Sequence, residues 1–156
     1  MSSENRPGNT ESADITVVVR RTIGATADTL FAAWTQPAHL KQWWGPRTVK
    51  CVGAEIDLRV GGAYRIANRF SDGTVLWIVG EFEAVDPPNK LVYSWRTASE
   101  SRYSERVTVQ FEQQGDATEV IVTHERIPNA AASEGHQAGW DECMDGLIEY
   151  LKKLRA

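Results

Sequence analysis

The stretch WTQPAHLKQWWGP, Trp34–Pro46, carries three of the six tryptophans of this chain and two of its prolines. The residue before Pro37 disfavours helical geometry, and Gly45-Pro46 ends any helix that reaches it. Trp is large and apolar but has one N–H that needs a partner, so clustered tryptophans close a core or line a cavity. The stretch therefore predicts a lid of two short helices, over either a hydrophobic core or a small-molecule pocket.

Composition limits the classes of function that this protein can have. A length of 156 residues favours one domain with its own core. The net charge of −4 provides no basic surface for nucleic acid. No apolar run approaches the ~20 residues that span a bilayer, and the N-terminus does not resemble a signal peptide. We expect a cytoplasmic protein with no nucleic-acid and no membrane partner.

The first residues differ in character from the rest. Residues 1–13 are mostly Ser, Asn, Glu, Pro and Gly, with little to bury. We expect a disordered tail over 1–13 and one folded domain over 14–156.

The first part of this domain predicts a strand followed by two helices. Ile15–Ile23 alternates apolar and polar residues, which is typical of a half-buried strand. Thr26 can cap a first helix that ends near Gln36, and Pro37 suits the first position of a second.

Between Arg47 and Pro128 the pattern predicts an antiparallel meander of about six strands. The turn signals are Gly61-Gly62, Asp72-Gly73, Pro87-Pro88-Asn89 and Gly115-Asp116. Side-chain alternation predicts these inward-facing residues: Tyr64, Ile66, Asn68, Phe70, Ile78, Gly80, Phe82, Leu91, Tyr93, Trp95, Val107, Val109, Phe111, Val120, Val122 and His124. Trp77 falls on the outer face, but the alternation around it is imperfect and its orientation stays open.

From Ser133 onward the apolar period becomes helical. The apolar stripe comprises Trp140, Cys143, Met144, Leu147, Ile148, Leu151 and Leu154. A helix of this length, about 30 Å, could cross the concave face of the sheet. We expect Gly139 to let the helix approach the sheet closely.

Four segments together resemble one known family. They are AWTQPAHLKQWWGP at Ala33–Pro46, DLRVGGAYR at Asp57–Arg65, GEFEAVDPPNKLVYSW at Gly80–Trp95, and Gly139-Trp140. The combination resembles the homologues of the activator of heat-shock-protein-90 ATPase, a branch of the START-like (SRPBCC) superfamily. The resemblance implies an α+β helix-grip fold, in which a curved antiparallel sheet of about seven strands wraps around a long C-terminal helix. Two short helices follow the first strand.

The resemblance also implies a cavity between the long helix, the sheet and the short helices, which holds an apolar ligand in relatives. The predicted ligand-binding residues are Trp44, Tyr64, Asn68, Trp95, His124, Trp140 and Met144. Asn68 and His124 are polar residues with inward parity. Each must find a hydrogen-bond partner in the core or face a cavity with water or ligand, because an unpaired buried polar group costs about 1–3 kcal/mol.

Three functions stay open at this point. The first is a non-catalytic domain that binds a small apolar or amphipathic molecule. The second, suggested by aromatases and cyclases of this fold, is an enzyme in which His124 acts as acid or base. The third is a co-chaperone-like contact with a heat-shock ATPase, in a monomer or homodimer.

The sequence contains no recognised motif for nucleophilic catalysis or for metal binding. No GxSxG nucleophile elbow is present, and Cys51 and Cys143 are expected to be free buried thiols. His39, His124 and His136 are far apart in sequence and form no recognised ligand motif, so neither a metal site nor a cofactor is expected.

Overall fold

A computed structural model describes residues 14–45, 47–98 and 104–155. The first strand, β1 (Ile15–Ile23), precedes the helices α1 (Ala27–Thr35) and α2 (Pro37–Trp43), and the chain ends in the helix α3 (Ala130–Arg155). The six strands between them are β2 (Val49–Ile56), β3 (Ala63–Phe70), β4 (Val75–Asp86), β5 (Lys90–Thr97), β6 (Glu105–Gln114) and β7 (Ala117–Ile127). The tail predicted over 1–13 lies outside the described residues and stays a prediction.

The strands form one antiparallel seven-stranded sheet in the order β1-β7-β6-β5-β4-β3-β2. Consecutive strands from β2 to β7 are neighbours, as in a meander, and β1 joins the far edge beside β7. The sheet curls around α3, with α1 and α2 closing one end of the core. The predicted α+β helix-grip fold is confirmed.

The two short helices lie where the sequence predicted them, and a capping residue and a proline set their bounds. The side chain of Thr26 accepts a hydrogen bond from the backbone N–H of Thr29 at 3.2 Å, which caps α1. Gln36 is extended, because the ring of Pro37 excludes helical geometry there, and α2 begins at the proline. The lid therefore consists of two helices joined at a single residue.

The hairpin signal at Asp72-Gly73 is also confirmed. Gly73 has a φ of +90°, and the side chain of Asp72 accepts from the N–H of Thr74 at 2.9 Å. The inward parity holds along the meander, and it includes Phe70, which is 36% exposed at the end of β3 but borders the space between the sheet and α3.

Trp77 lies on the outer face of the sheet. Its neighbour Ile78 is in the core, and in the register of β3 and β4 Trp77 is opposite Ala67. The guanidinium of Arg65 lies 4.3 Å from the centre of the Trp77 ring, a cation–π contact. This arrangement decides the orientation that the sequence left open.

Helix α3 differs from its prediction in three respects. It begins at Ala130 rather than Ser133, and the apolar stripe ends before Leu154, which is 52% exposed. The expected close approach at Gly139 is wrong, because a Cβ there would meet no atom within 4 Å. The close approach is at Gly146, where a Cβ would lie 2.8 Å from the carbonyl oxygen of Trp43.

Candidate functional site

A pocket of about 180 Å³ lies between the end of α2, the strands β2 to β5 and the first half of α3. Its walls are mainly aromatic and aliphatic side chains, to which Thr48, Asn68 of β3 and His136 of α3 add polar groups. Gly135 and Gly139 border it one helical turn apart, and a Cβ at either position would meet no atom within 4 Å. Because glycine has no side chain, these two positions of α3 leave the space open.

Three tryptophans from different elements meet at this pocket. Trp44 follows α2, Trp95 belongs to β5 and Trp140 to α3. The ring centres of Trp44 and Trp140 are 5.4 Å apart, those of Trp95 and Trp140 5.8 Å, and those of Trp44 and Trp95 5.9 Å. Lid, sheet and long helix are therefore joined through one aromatic cluster.

Two buried polar atoms of pocket-lining residues have no hydrogen-bond partner among the described residues and almost no accessible surface. They are Nε1 of Trp44 and Oδ1 of Asn68, whose residues are 6% and 5% exposed. The neighbouring Trp43 differs, because its Nε1–H donates to the carbonyl oxygen of Ala33 at 3.0 Å. Trp44 borders both this pocket and a void of about 20 Å³ beneath the lid.

His124 is fully buried and has partners on both ring nitrogens. Its Nδ1 accepts from Nε1–H of Trp140 at 3.0 Å, and its Nε2 lies 2.6 Å from Oε1 of Glu105. An indole N–H can only donate, so Nδ1 must be unprotonated and the neutral ring carries its proton on Nε2. Of the two alternatives open from the sequence, hydrogen-bond partners in the core are what the structure shows for His124.

Glu105 also binds His136, which connects the buried histidine to the pocket. Nε2 of His136 lies 3.0 Å from the same Oε1, and the rings of His124 and His136 stack at 4.1 Å. The His136 side chain is 25% exposed and lines the pocket, whereas His124 does not. Sequence reasoning missed Glu105, the first residue of β6, because nothing local distinguishes it from a solvent-facing carboxylate.

The electrostatics of this cluster favour a carboxylate beside a neutral imidazole. Burial raises the pKa of Glu105, but hydrogen bonds from His124 and His136 outweigh it and lower the pKa to about 2. Burial lowers the pKa of His124 below its ordinary value of 6.5, although Glu105 acts in the opposite direction. Near neutral pH the pair is therefore an ionised Glu105 and an uncharged His124.

Three potential metal-ligand atoms, one each on Glu105, His124 and His136, lie within 4.8 Å of one another. Two imidazoles and a carboxylate suit several transition metals. However, a metal on Nε2 of His124 would displace that proton to Nδ1, where it would face the N–H of Trp140. The Trp140 contact thus disfavours metal binding through His124.

Four predicted ligand-binding residues line the larger pocket: Trp44, Asn68, Trp95 and Trp140. Tyr64 instead lines the void of about 20 Å³, and its hydroxyl donates to the carbonyl oxygen of Ser94 at 2.6 Å. Met144 is fully buried in the core and lines neither of these two spaces.

Cys51 and Cys143 are free and buried, as predicted. Burial raises the pKa of the Cys143 thiol to about 12 and also raises that of Cys51, so neither is an activated nucleophile.

Among the helices of residues 14–45, 47–98 and 104–155, none has both the length and the apolar character to cross a membrane.

Comparisons with known proteins identify one family and many similar folds. The family described as Activator of Hsp90 ATPase homolog 1-like protein matches residues 24–152. No curated protein matches the chain.

Among solved structures, CV1439 from Chromobacterium violaceum is 24% identical with a TM-score of 0.79, and the match covers 86% of this chain and 94% of that one. MLL2253 from Mesorhizobium loti is 25% identical with a TM-score of 0.73, covering 89% and 98%. The AHSA1-like protein from Aeromonas hydrophila is 22% identical with a TM-score of 0.76, covering 90% and 94%. These structures share the fold.

Proposed function

The chain belongs to the Activator of Hsp90 ATPase homolog 1-like family, and from this premise we propose that it is a non-catalytic binding domain for a small apolar or amphipathic molecule. The proposed site is the 180 Å³ pocket between the lid, the sheet and α3. One observation carries the proposal: the pocket has mainly apolar walls, and Gly135 and Gly139 leave its α3 side open. A bound apolar molecule would cover this surface and remove it from water, which is favourable.

The size of the pocket supports a small ligand. An apolar cavity of about 150 Å³ is known to take up benzene, so 180 Å³ has room for one or two rings. The aromatic walls offer ring faces and edges, which favour planar apolar molecules.

Filling the pocket tests the proposal. Gly139→Leu would project a side chain into the pocket from α3, since Gly139 lines the pocket and a Cβ there meets no atom within 4 Å. We expect a ligand found by titrating the full chain with one- and two-ring compounds to lose at least tenfold in affinity in this variant. Isothermal titration calorimetry measures the affinity, and circular dichroism checks the fold.

Lys152→Leu is the matched control, because it adds the same side chain to an exposed position of the same helix outside the pocket. It should bind like the wild type. Failure of every compound to bind the wild type would reject the proposed function. Unchanged binding by Gly139→Leu would reject the location.

An acid–base enzyme is the second candidate. Its specific support is the contact of His136, a pocket-lining residue, with Glu105 at 3.0 Å. We assign the acid–base role in this alternative to His136 rather than His124, whose ring nitrogens are both engaged away from the pocket. Any turnover of a bound compound should disappear in His136→Ala and survive in His39→Ala; survival in both would remove His136 from the mechanism. The co-chaperone hypothesis stays a prediction from the family resemblance.

A further inference from the structure

We infer that a groove between α2, β2 and α3 binds the phosphate or diphosphate group of a small soluble molecule. The groove has a volume of about 630 Å³, and each of the three elements contributes one lysine to its walls: Lys41, Lys50 and Lys153. This lysine groove shares Trp44 and Val49 with the 180 Å³ pocket, but none of the residues described as lining that pocket is a lysine. The lysine groove is therefore a second site, independent of the proposed function.

Lysines are concentrated at this groove. The chain has five lysines, and three of them lie here although they are far apart in sequence. Packing brings their elements together, because Gly146 of α3 lies against the end of α2, where a Cβ would be 2.8 Å from the carbonyl oxygen of Trp43. The fold, rather than a basic run in the sequence, therefore produces the cluster.

The positive charge of the groove is not neutralised within the described part of the chain. None of its three lysines has a salt bridge to a described carboxylate, and Glu149 is the one acidic residue in the described lining. Lys50 also lies directly opposite Arg69 in the register of β2 and β3, and like charges opposite each other are destabilising. Arginines elsewhere do have carboxylate partners, namely Arg20, Arg21, Arg59, Arg65 and Arg106.

Helix ends explain only part of this cluster. Lys41 and Lys153 each lie in the last turn of a helix, where a cation interacts favourably with the helix dipole. Lys50 lies on a strand, so no helix end accounts for its place beside the other two lysines and Arg69. An anion bound among these charges would relieve their repulsion.

The three ammonium groups can reach one ligand. Lys41, Lys50 and Lys153 are exposed and line the same space, and each ammonium is carried by a flexible four-carbon stem. The thiol of Cys51 lines the groove as well. Burial raises the pKa of this thiol and the charge of Lys41 opposes that rise, which is consistent with an ammonium held near the groove wall.

The donors favour a phosphate over a carboxylate. Lysine binds phosphate as a point charge, whereas the planar fork of arginine matches a carboxylate, and the described lining contains no arginine. Three lysines suit a group with more than one negative charge, and the amide of Gln42 can add a hydrogen bond. A volume of about 630 Å³ is in the usual range for a small-molecule site, so it has room for more than the phosphate itself.

Titration of the full chain at neutral pH and low ionic strength tests the site. The probes are inorganic pyrophosphate, orthophosphate and acetate, with affinities measured by isothermal titration calorimetry. We expect pyrophosphate to bind most tightly and acetate most weakly, and added salt to weaken binding because it screens exposed charges. In ¹H–¹⁵N spectra, the amide signals that pyrophosphate moves most should belong to residues 41–44, 49–51 and 146–153.

Variants assign the binding to the lysines. Lys41→Gln, Lys50→Gln and Lys153→Gln should each reduce the affinity for pyrophosphate about threefold, the factor for one exposed ion pair, and together about tenfold or more. Lys152→Gln is the matched control, because Lys152 is exposed beside Lys153 on α3 but is not part of the groove lining. It should bind like the wild type, and circular dichroism checks the fold of each variant.

Several outcomes would overturn the proposed phosphate site. They are the absence of pyrophosphate binding, equal losses in Lys152→Gln and Lys153→Gln, and acetate binding as tight as that of pyrophosphate. Cosedimentation with phosphatidylcholine vesicles that contain phosphatidic acid, without binding of pyrophosphate, would replace the soluble ligand by a lipid headgroup. None of these results bears on the proposed function, which is tested with uncharged ring compounds at the other pocket.

Discussion

The indole N–H of Trp140 donates to Nδ1 of His124 at 3.0 Å, and this hydrogen bond and the Glu105 carboxylate at Nε2 together determine which nitrogen of the imidazole carries the proton. Because Nδ1 accepts, Nε2–H points at Glu105, 2.6 Å away. Protonating the ring would place a second donor against the indole. Trp140 thereby acts with burial to keep His124 neutral.

The first prediction concerns this tautomer. Long-range ¹H–¹⁵N spectra of the wild type at pH 7.5 should show His124 as the Nε2–H form, with an unprotonated Nδ1. Trp140→Phe removes the donor to Nδ1 but leaves the Glu105 carboxylate as acceptor for Nε2–H, so the Nε2–H form should persist while the ¹⁵N signal of Nδ1 moves. His39 lies outside this cluster and serves as the internal control. An Nδ1–H form of His124 in the wild type would contradict the assignment.

The second prediction concerns acid stability. The pKa of Glu105 is lowered from 4.5 to about 2 in the folded protein. Below pH 4.5 the unfolded chain therefore binds a proton that the folded chain does not. The stabilisation is present above pH 4.5 and lost as the pH falls towards 2; it is on the order of 3 kcal/mol.

Glu105→Gln keeps an acceptor for both histidines but cannot ionise. The free energy of unfolding of this variant should be lower than that of the wild type, and the difference should be largest near pH 6 and shrink as the pH falls from 4.5 towards 2. Urea unfolding at several pH values measures this. Glu112→Gln, at an exposed position of the same strand, is the control. A deficit that does not change with pH would contradict the role of Glu105.

The third prediction compares two glycines of α3. Gly139→Ala should stabilise the protein by about 0.5–1 kcal/mol, because alanine favours the helix and meets open space. Gly146→Ala should destabilise it by roughly 1–3 kcal/mol, because its Cβ would lie 2.8 Å from the backbone oxygen of Trp43. Chemical denaturation measures both. Equal effects at the two positions would show that helix propensity alone operates.

The fourth prediction concerns Trp140 as a wall of the pocket. Trp140→Ala should cost roughly 3–5 kcal/mol, the range for truncating a large buried aromatic residue. It should also enlarge the pocket and change which ligands raise the melting temperature. Trp77→Ala, on the outer face, should lower stability without altering the ligand profile. An unchanged ligand profile in Trp140→Ala would leave Trp140 a core residue only.

The candidate site was only partly predictable from sequence. Parity placed Asn68 and His124 on the inner face, and strand alternation is a local property that any reader of the sequence can follow. It could not show that His124 has two partners while Oδ1 of Asn68 has none among the described residues. Those facts depend on which side chains other elements bring to the same place.

The sequence by itself determined the elements of this protein and the family to which it belongs. Caps, prolines, turn residues and apolar periods act over a few residues, so the short lid helices, the meander and the long helix were all predictable. Segments such as Ala33–Pro46 carried the family resemblance, which the family match confirms.

Only the tertiary structure decided which residues meet. Glu105 begins β6, His124 lies near the end of β7 and His136 near the start of α3, and they become neighbours because β6 pairs with β7 and α3 turns back beside them. The open space at Gly139 and the close contact at Gly146 likewise depend on how α3 lies between lid and sheet. Such distances follow from packing between distant segments, on which no local pattern carries information.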